Sequence, residues 1–251
     1  MNPKGSFPAQ TVLTNFTTVE RMLSEFLEVI PYCQAHENVW APKLATVLIE
    51  SCRQLDSFWR ACARLSAYTA PKPDITNFFE YFGPTVATRW VIFWFDKGHK
   101  IAPFDQWSKA ASFKAGDYVT MDWWKAYNNV KHDALANQEE ATLGRAIQAV
   151  GGLFLAIVKC PECAEAVWRA DWLRGPDPHP AHLAEDSDDS DRLAYMTAES
   201  KLFTYAVFLG AQPDPRKYFW GGVASHRFRQ WIEQQRSSTG DTVDFLSGPH
   251  D

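Results

Sequence analysis

Residues 123–133, with the sequence WWKAYNNVKHD, bring together side chains that can bind a phosphate and transfer a proton. On a helix, residues four positions apart share a face, so Asn128 and His132 lie one turn apart with Lys131 at the edge. An imidazole titrates near neutral pH and serves as a general acid or base, while an amide and an ammonium group can orient and neutralise a phosphate. The same spacing is typical of a polar network between neighbouring helices. The residues alone leave both interpretations open.

The same segment carries a Trp-x-x-Tyr-Asn-x-x-Lys-His pattern that resembles the signature helix of HEPN domains (higher eukaryotes and prokaryotes nucleotide-binding). The predicted helix order over residues 16–165 is also similar to that family. The resemblance implies an all-helical bundle, which often forms a homodimer through two facing signature helices. Many members are metal-independent ribonucleases of toxin–antitoxin, CRISPR-associated and phage-defence systems. RNA and a partner or antitoxin protein are therefore implied partners, with no cofactor. The pattern is formed by Trp124, Tyr127, Asn128, Lys131 and His132.

The active motif of the family is an Arg, a polar residue that is often Asn, three further residues and a His. By this resemblance His132 acts as general acid or base, Asn128 orients the phosphate and Lys131 offsets its charge. Tyr127 stands where the Arg is expected, and a phenol does not supply that positive charge. The implied reaction is attack of an RNA 2′-hydroxyl on its own phosphate, which leaves a cyclic phosphate. The sequence leaves open an active ribonuclease or a degenerate relative.

Cysteine and histidine pairs form a second candidate site. Cys160 and Cys163 precede His179 and His182, and two thiolates with two imidazoles make a tetrahedral zinc set. The two histidines are closer together than is usual, and prolines flank His179. A turn at the end of a helix explains the two cysteines without a metal. We therefore predict that this chain binds no metal. If a zinc ion were bound, these four residues would be its ligands.

A basic and aromatic cluster lies near the C-terminus. Across residues 216–236 the cationic side chains face a single acidic one, Glu233, and aromatic residues lie among them. Phosphate contacts combined with base stacking are typical of single-stranded nucleic-acid binding. An amphipathic helix with docked aromatic side chains explains the same pattern. The candidates for nucleic-acid contact are Lys217, Arg227, Arg229 and Trp231.

Composition limits the class of protein. The chain has 251 residues, of which 46% are hydrophobic, and a net charge of −5. These values exclude a wholly disordered chain and a globally basic nucleic-acid binder, although a local basic patch is still allowed. Five cysteines, an odd number, favour reduced thiols. Because the first residues contain no apolar leader and the longest apolar run is too short to cross a membrane, we expect a cytoplasmic protein without membrane contact.

Apolar residues at helical spacing predict a mainly α-helical protein. Thr17 and Glu20 have the spacing of a capping box at the start of the first helix. The aromatic run at 90–95 is predicted as a short strand pair or a buried connector. The other predicted helices cover residues 41–65, 74–82, 122–135, 138–159 and 224–236.

These elements predict a HEPN-like antiparallel helical bundle at 16–165, followed by an acidic linker rich in Pro and Asp at 173–192. A smaller, irregular aromatic and basic segment at 193–236 is expected to pack on the bundle, with a disordered tail at 237–251. Two functions fit this organisation.

The first function is an RNA-directed protein of microbial defence, either a ribonuclease or a degenerate relative. The second is a non-catalytic helical module that dimerises or holds a partner, with Asn128 and His132 structural. Burial of His132 distinguishes them, because an imidazole sealed against Trp124 of its own subunit favours the second.

Overall fold

The structure is a computed structural model. The residues that it describes are 7–65, 72–174 and 194–208, together with five of residues 227–234. The linker candidate beyond residue 174 and the tail at 237–251 lie outside these residues. Over the described residues the chain is mostly helical, which confirms the predicted class, and it also forms a five-stranded sheet.

The chain divides into two compact units. One comprises residues 1–89 and 101–157, and the other comprises residues 90–100 and 158–251. We call them the helical unit and the sheet unit. In the described part of the helical unit the α-helices are α1 (Ala9–Leu27), α2 (Pro42–Leu65), α3 (Ile75–Val86), α4 (Asp105–Ser108), α5 (Asp122–His132), α6 (Ala134–Asn137) and α7 (Leu143–Val158).

Two helix starts show how local chemistry sets the boundaries. Asp74 caps α3, because its carboxylate accepts hydrogen bonds from the backbone N–H groups of Thr76 and Asn77. The predicted start of α1 at a capping box is wrong, since α1 begins at Ala9. Thr17 lies inside α1, where its hydroxyl donates to the carbonyl of Leu13 at 2.9 Å. The apolar face of α1 therefore continues toward the N-terminus beyond the predicted cap.

An aromatic cluster forms the centre of the helical unit. Trp59 of α2 is fully buried, and α2 packs against both α1 and α5. The ring of Trp124 on α5 lies 6.2 Å from that of Trp59. These rings anchor α5, which contains the candidate residues Asn128, Lys131 and His132, to α2. Four further rings lie 5.4–5.8 Å from Trp59, those of Phe78, Phe82, Phe104 and Trp107.

The sheet unit contains α8 (Ala164–Arg169) and five strands, β1 (Val91–Trp94), β2 (Gly98–Ile101), β3 (Leu173–Arg174), β4 (Ala194–Glu199) and β5 (Phe203–Phe208). The strands form an antiparallel sheet in the order β2-β1-β5-β4-β3. Its register pairs Ile92 with Thr204 and Thr197 with Ala206. Of the two interpretations of the run at 90–95, a short strand pair or a buried connector, the structure has a strand, β1, which lies between β2 and β5 in this sheet.

The expectation that residues 193–236 are irregular is wrong for much of their described part, because β4 and β5 form an antiparallel pair, with one shift of register between Ala194 and Met196. Consecutive residues of β5, Phe203 to Ala206, are all buried, as are Met196, Thr197 and Ala198 of β4. A strand buried on both faces lacks the polar and apolar alternation that identifies strands in a sequence. Of the predicted helix at 224–236, the described residues are helical.

Candidate functional site

Apolar side chains hold α5 in a fixed orientation. Five of its 11 residues are no more than 5% exposed, and they include Trp123, Trp124 and Tyr127. The indole N–H of Trp123 donates to the carbonyl of Pro103 at 2.7 Å. Because one face of α5 is buried, the helix cannot rotate, and the helical geometry then fixes the direction in which its other side chains point.

His132 is exposed and is the last residue of α5. Lys131 beside it is also exposed, whereas Trp124 is buried. The imidazole is therefore not sealed against Trp124, which was the arrangement expected for a structural histidine. Asp133 follows His132, and its carboxylate caps α6 by accepting from the N–H of Ala136 at 3.1 Å.

A polar network does connect α5 to its neighbours, and Asn129 forms it. The Asn129 side chain donates to Oε1 of Glu140 at 2.9 Å, and Asn137 donates to the Asn129 carbonyl at 3.2 Å. Arg145 of α7 then donates to the Glu140 carbonyl at 2.9 Å. Asn128 is half-buried and takes no part in these described bonds. The structural role in this network therefore belongs to Asn129 and not to its neighbour Asn128.

Tyr127, at the position of the family's Arg, is 5% exposed. Its ring meets that of Trp124 edge-on at 5.2 Å, and the Lys131 ammonium lies 5.3 Å from the centre of the Tyr127 ring. Burial raises the pKa of Tyr127, and the neighbouring Lys131 opposes that rise. The side chain is thus chiefly a packing residue with a charged neighbour.

The face of α2 near Tyr127 carries charged residues that the sequence analysis did not select. This face carries Arg53, Asp56 and Arg60, and Asp56 adds to the rise in the pKa of the buried Tyr127. Together with Tyr127 and Lys131 of α5, these three residues form what we call the α2–α5 cluster. Their spacing along α2 was visible in the sequence, but nothing there indicated which helix this face meets.

Each arginine of the cluster is held by a carboxylate on its own helix. Arg53 donates to both oxygens of Glu50, at 2.7 and 3.1 Å, and Arg60 donates to both oxygens of Asp56, at 2.8 and 3.1 Å. The Arg60 guanidinium also lies 5.7 Å from the centre of the Phe78 ring. Paired contacts of this kind fix the plane of a guanidinium group.

Arg227, a candidate for nucleic-acid contact, is engaged inside the sheet unit. Its guanidinium donates to Glu199 at 3.2 Å and to the carbonyls of Ser200 and Lys201 at 2.7 and 3.0 Å. It also lies 5.1 Å from the centre of the Trp94 ring. Through these contacts Arg227 stabilises the sheet unit.

Trp231, a second candidate, is 4% exposed, and its indole N–H donates to the carbonyl of Gly98 at 3.0 Å. Its ring is stacked with that of Phe228 at 6.1 Å. A buried ring with a satisfied N–H is a packing residue rather than an open surface for base stacking. Lys217 and Arg229, the other two candidates, lie outside the described residues.

The zinc candidates are described only in part. The thiol of Cys160 donates to the Glu162 carboxylate at 3.1 Å, and Cys163 is fully buried. His179 and His182 lie outside the described residues. Among the residues that are described, no group of three His, Cys, Asp or Glu side chains is arranged to hold a metal ion.

Length and apolar composition decide whether a helix can cross a membrane. In the described ranges no single helix is long and apolar enough to cross a membrane. A pair of helical segments bent by 83°, Leu143–Val158 and Pro161–Arg169, reaches that length and composition only when taken together.

Comparison with known proteins gives no relative: no family model, no curated protein and no solved structure matches this chain.

Proposed function

We propose that this chain is a HEPN-type RNA-directed protein of microbial defence that acts in the cytoplasm as a metal-independent endoribonuclease or a degenerate relative. The observation that carries the proposal is the exposure of His132 and Lys131 on the last turn of α5, whose opposite face is buried. An exposed imidazole on a rigid helix can reach a substrate in a defined orientation.

The reaction begins when the RNA 2′-hydroxyl loses its proton and its oxygen attacks the adjacent phosphorus. The bond from phosphorus to the 5′-oxygen breaks, that oxygen takes up a proton, and a 2′,3′-cyclic phosphate is left. His132 transfers one of these protons as general base or acid. Asn128 orients the phosphate, and Lys131 offsets the negative charge that develops on its oxygens.

A homodimer through α5 belongs to this proposal. Leu135 of α6, three residues beyond His132, is 91% exposed. A single exposed leucine is ordinary on a protein surface, so the proposed homodimer rests on the resemblance alone. The HEPN-like helical bundle and a partner or antitoxin protein are proposed on the same resemblance.

A non-catalytic dimerisation or partner-binding module is the second candidate. Tyr127 favours it, because a buried phenol replaces the cation that the family's active motif contains. In that case the α5 surface binds protein, and neither Asn128 nor His132 takes part in chemistry.

The test is cleavage of single-stranded RNA by the full chain in EDTA, beside His132→Ala and the control His36→Ala, which alters a half-buried histidine outside α5. Cleavage that requires His132 but not His36, and that leaves cyclic phosphate ends, supports a ribonuclease. Binding of RNA without cleavage supports a degenerate relative. A wild-type chain that neither cleaves nor binds RNA would overturn the proposal in favour of the protein-binding module.

A further inference from the structure

We propose that Cys160 and Cys163 form a redox site, at which a low-molecular-weight disulfide oxidises the two thiols to an intramolecular disulfide. Residues 160–163 make one turn between α7 and α8. The proposed function uses none of these residues, so the inference goes beyond that function and does not depend on it.

The first step is the separation of the two cysteines. The backbone N–H of Cys163 donates to the carbonyl of Cys160 at 2.9 Å, which closes a turn with the cysteines as its first and fourth residues. The Cα atoms of such a pair lie within about 7 Å of each other. A disulfide requires Cα atoms about 4.4–6.8 Å apart. The closed turn therefore holds the cysteines at a separation that a disulfide can bridge.

The backbone of Cys160 also directs its side chain toward Cys163. Cys160 precedes a single turn of 3₁₀ helix, Pro161–Cys163, and has the extended backbone of a capping residue, with φ −95° and ψ 116°. The side chain of a capping residue turns toward the second and third residues of the helix that it precedes. The third residue of this helix is Cys163.

The second step is access for the oxidant. Cys160 is 7% exposed, whereas Cys163 is fully buried. A small disulfide therefore reaches Cys160 first, and burial protects Cys163 from a second molecule of the oxidant. An accessible thiol beside a second, resolving thiol is the arrangement typical of redox-sensing cysteines.

The third step is the reaction itself. The Cys160 thiol donates to Oε2 of Glu162 at 3.1 Å, so the carboxylate is placed to take up its proton. The Cys160 sulfur attacks one sulfur of the small disulfide, whose S–S bond breaks, and one thiol leaves with that proton. Cys163 then loses its proton to the second leaving thiol as its sulfur displaces that thiol from Cys160. Two protein thiols are oxidised while one small disulfide is reduced to two thiols.

The resting form of the site is the reduced one. Both cysteines are free thiols in the structure. Disulfides that form in a reducing compartment are usually transient and redox-sensing. Closure of this disulfide locks the turn between α7 and α8, and a dithiol reverses it.

The experiment treats the full chain with oxidised glutathione at neutral pH. Remaining thiols are blocked with iodoacetamide in urea, and tryptic peptides are weighed by mass spectrometry. Cleavage after Lys159 and Arg169 releases peptide 160–169, which contains Cys160 and Cys163 and no other cysteine. An internal disulfide leaves this peptide unblocked and lighter by two hydrogen atoms. The exposed Cys33 shows in the same sample that the reagent is active.

We expect the wild type to form the internal disulfide and dithiothreitol to reverse it. Cys163→Ser should stop at the mixed disulfide of Cys160 with glutathione, and Cys160→Ser should leave the buried Cys163 reduced. Glu162→Gln should slow disulfide formation about tenfold or more, as for loss of a positioned proton acceptor. Because Glu162 is exposed, this variant keeps the fold and tests the site independently of the buried cysteine.

The matched control is Glu165→Gln, which alters an exposed glutamate of the same segment that is paired with Arg169 at 2.8 Å. This control should react like the wild type. A wild-type peptide 160–169 that is fully blocked, when Cys33 carries glutathione, overturns the inference. A mixed disulfide that persists on Cys160 of the wild type overturns it as well. Equal rates for Glu162→Gln and Glu165→Gln overturn the role of Glu162. None of these outcomes bears on RNA, so the proposed function stands or falls separately.

Discussion

The side-chain amide of Asn129 donates a hydrogen bond to Oε1 of Glu140 at 2.9 Å. This bond divides the polar residues of α5 into two groups. Asn129 ties the helix to the segment that precedes α7, whereas His132 is exposed to solvent on the last turn. A side chain that holds the fold and a side chain that is accessible to a substrate respond differently to substitution.

His132→Ala should leave the free energy of unfolding within about 0.5 kcal/mol of the wild-type value, because the imidazole is exposed. Asn129→Ala should lower it by about 1 kcal/mol, since the partly buried Glu140 carboxylate loses a donor. Urea unfolding at neutral pH measures both changes. A larger loss in His132→Ala than in Asn129→Ala would contradict this division and would indicate that His132 is structural.

The sequence was a good guide where one helix face is apolar and the other is polar. The apolar stripe of α2 predicted 41–65, against Pro42–Leu65 in the structure, and Asp74 was identified as a cap. The α2–α5 cluster was not found, because charged residues on a helix are normally solvated and the facing helix is set by tertiary packing. Strand β5 was not predicted, because both of its faces are buried and its sequence therefore shows no alternation of polar and apolar residues.

Tyr127→Arg should destabilise the chain, although it restores the residue that the resemblance implies. The substitution removes a buried ring from contact with Trp124 and places a second cation beside Lys131. We expect a loss of about 3 kcal/mol, as for removal of a buried aromatic side chain. Tyr127→Phe, which keeps the ring, should lose less than about 1.5 kcal/mol. Thermal unfolding compares the two, and an unchanged melting temperature for Tyr127→Arg would refute the packing role.

Arg227→Ala should lower stability rather than specifically weaken RNA binding. The substitution leaves the Glu199 carboxylate, whose side chain is 8% exposed, with the Thr197 hydroxyl but without its cation. We expect a loss of about 2 kcal/mol or more. The double variant Arg227→Ala with Glu199→Gln should recover part of it, since no buried charge is then unpaired. Reduced RNA affinity at unchanged stability would show instead that Arg227 contacts nucleic acid.

Gly98→Ala should displace Trp231. A Cβ atom at position 98 would lie 2.4 Å from Cδ1 of Trp231 and 2.8 Å from Cγ2 of Ile92, closer than atoms can approach. The buried ring must therefore move and give up its hydrogen bond to the Gly98 carbonyl. We expect destabilisation of about 1–3 kcal/mol, typical of overpacking, and a red shift of tryptophan fluorescence. Gly116→Ala is the control, since its Cβ would meet nothing within 4 Å.

The Asp74 carboxylate, which caps α3, should stabilise the fold less in acid. Hydrogen bonds from the Thr76 hydroxyl and from the Asn77 and Thr76 backbone N–H groups hold the pKa of Asp74 below its ordinary value of 3.8. A lowered folded-state pKa stabilises the fold above the unfolded value, and this stabilisation disappears as the pH falls through the folded-state pKa. Asp74→Ala should therefore cost about 1 kcal/mol at pH 7 and progressively less below about pH 4. Asp74→Asn, which caps without a charge, should keep most of the stability at pH 7. Urea unfolding across this pH range tests the prediction, and an Asp74→Ala penalty that is equal at pH 7 and in acid would rule out a charged cap.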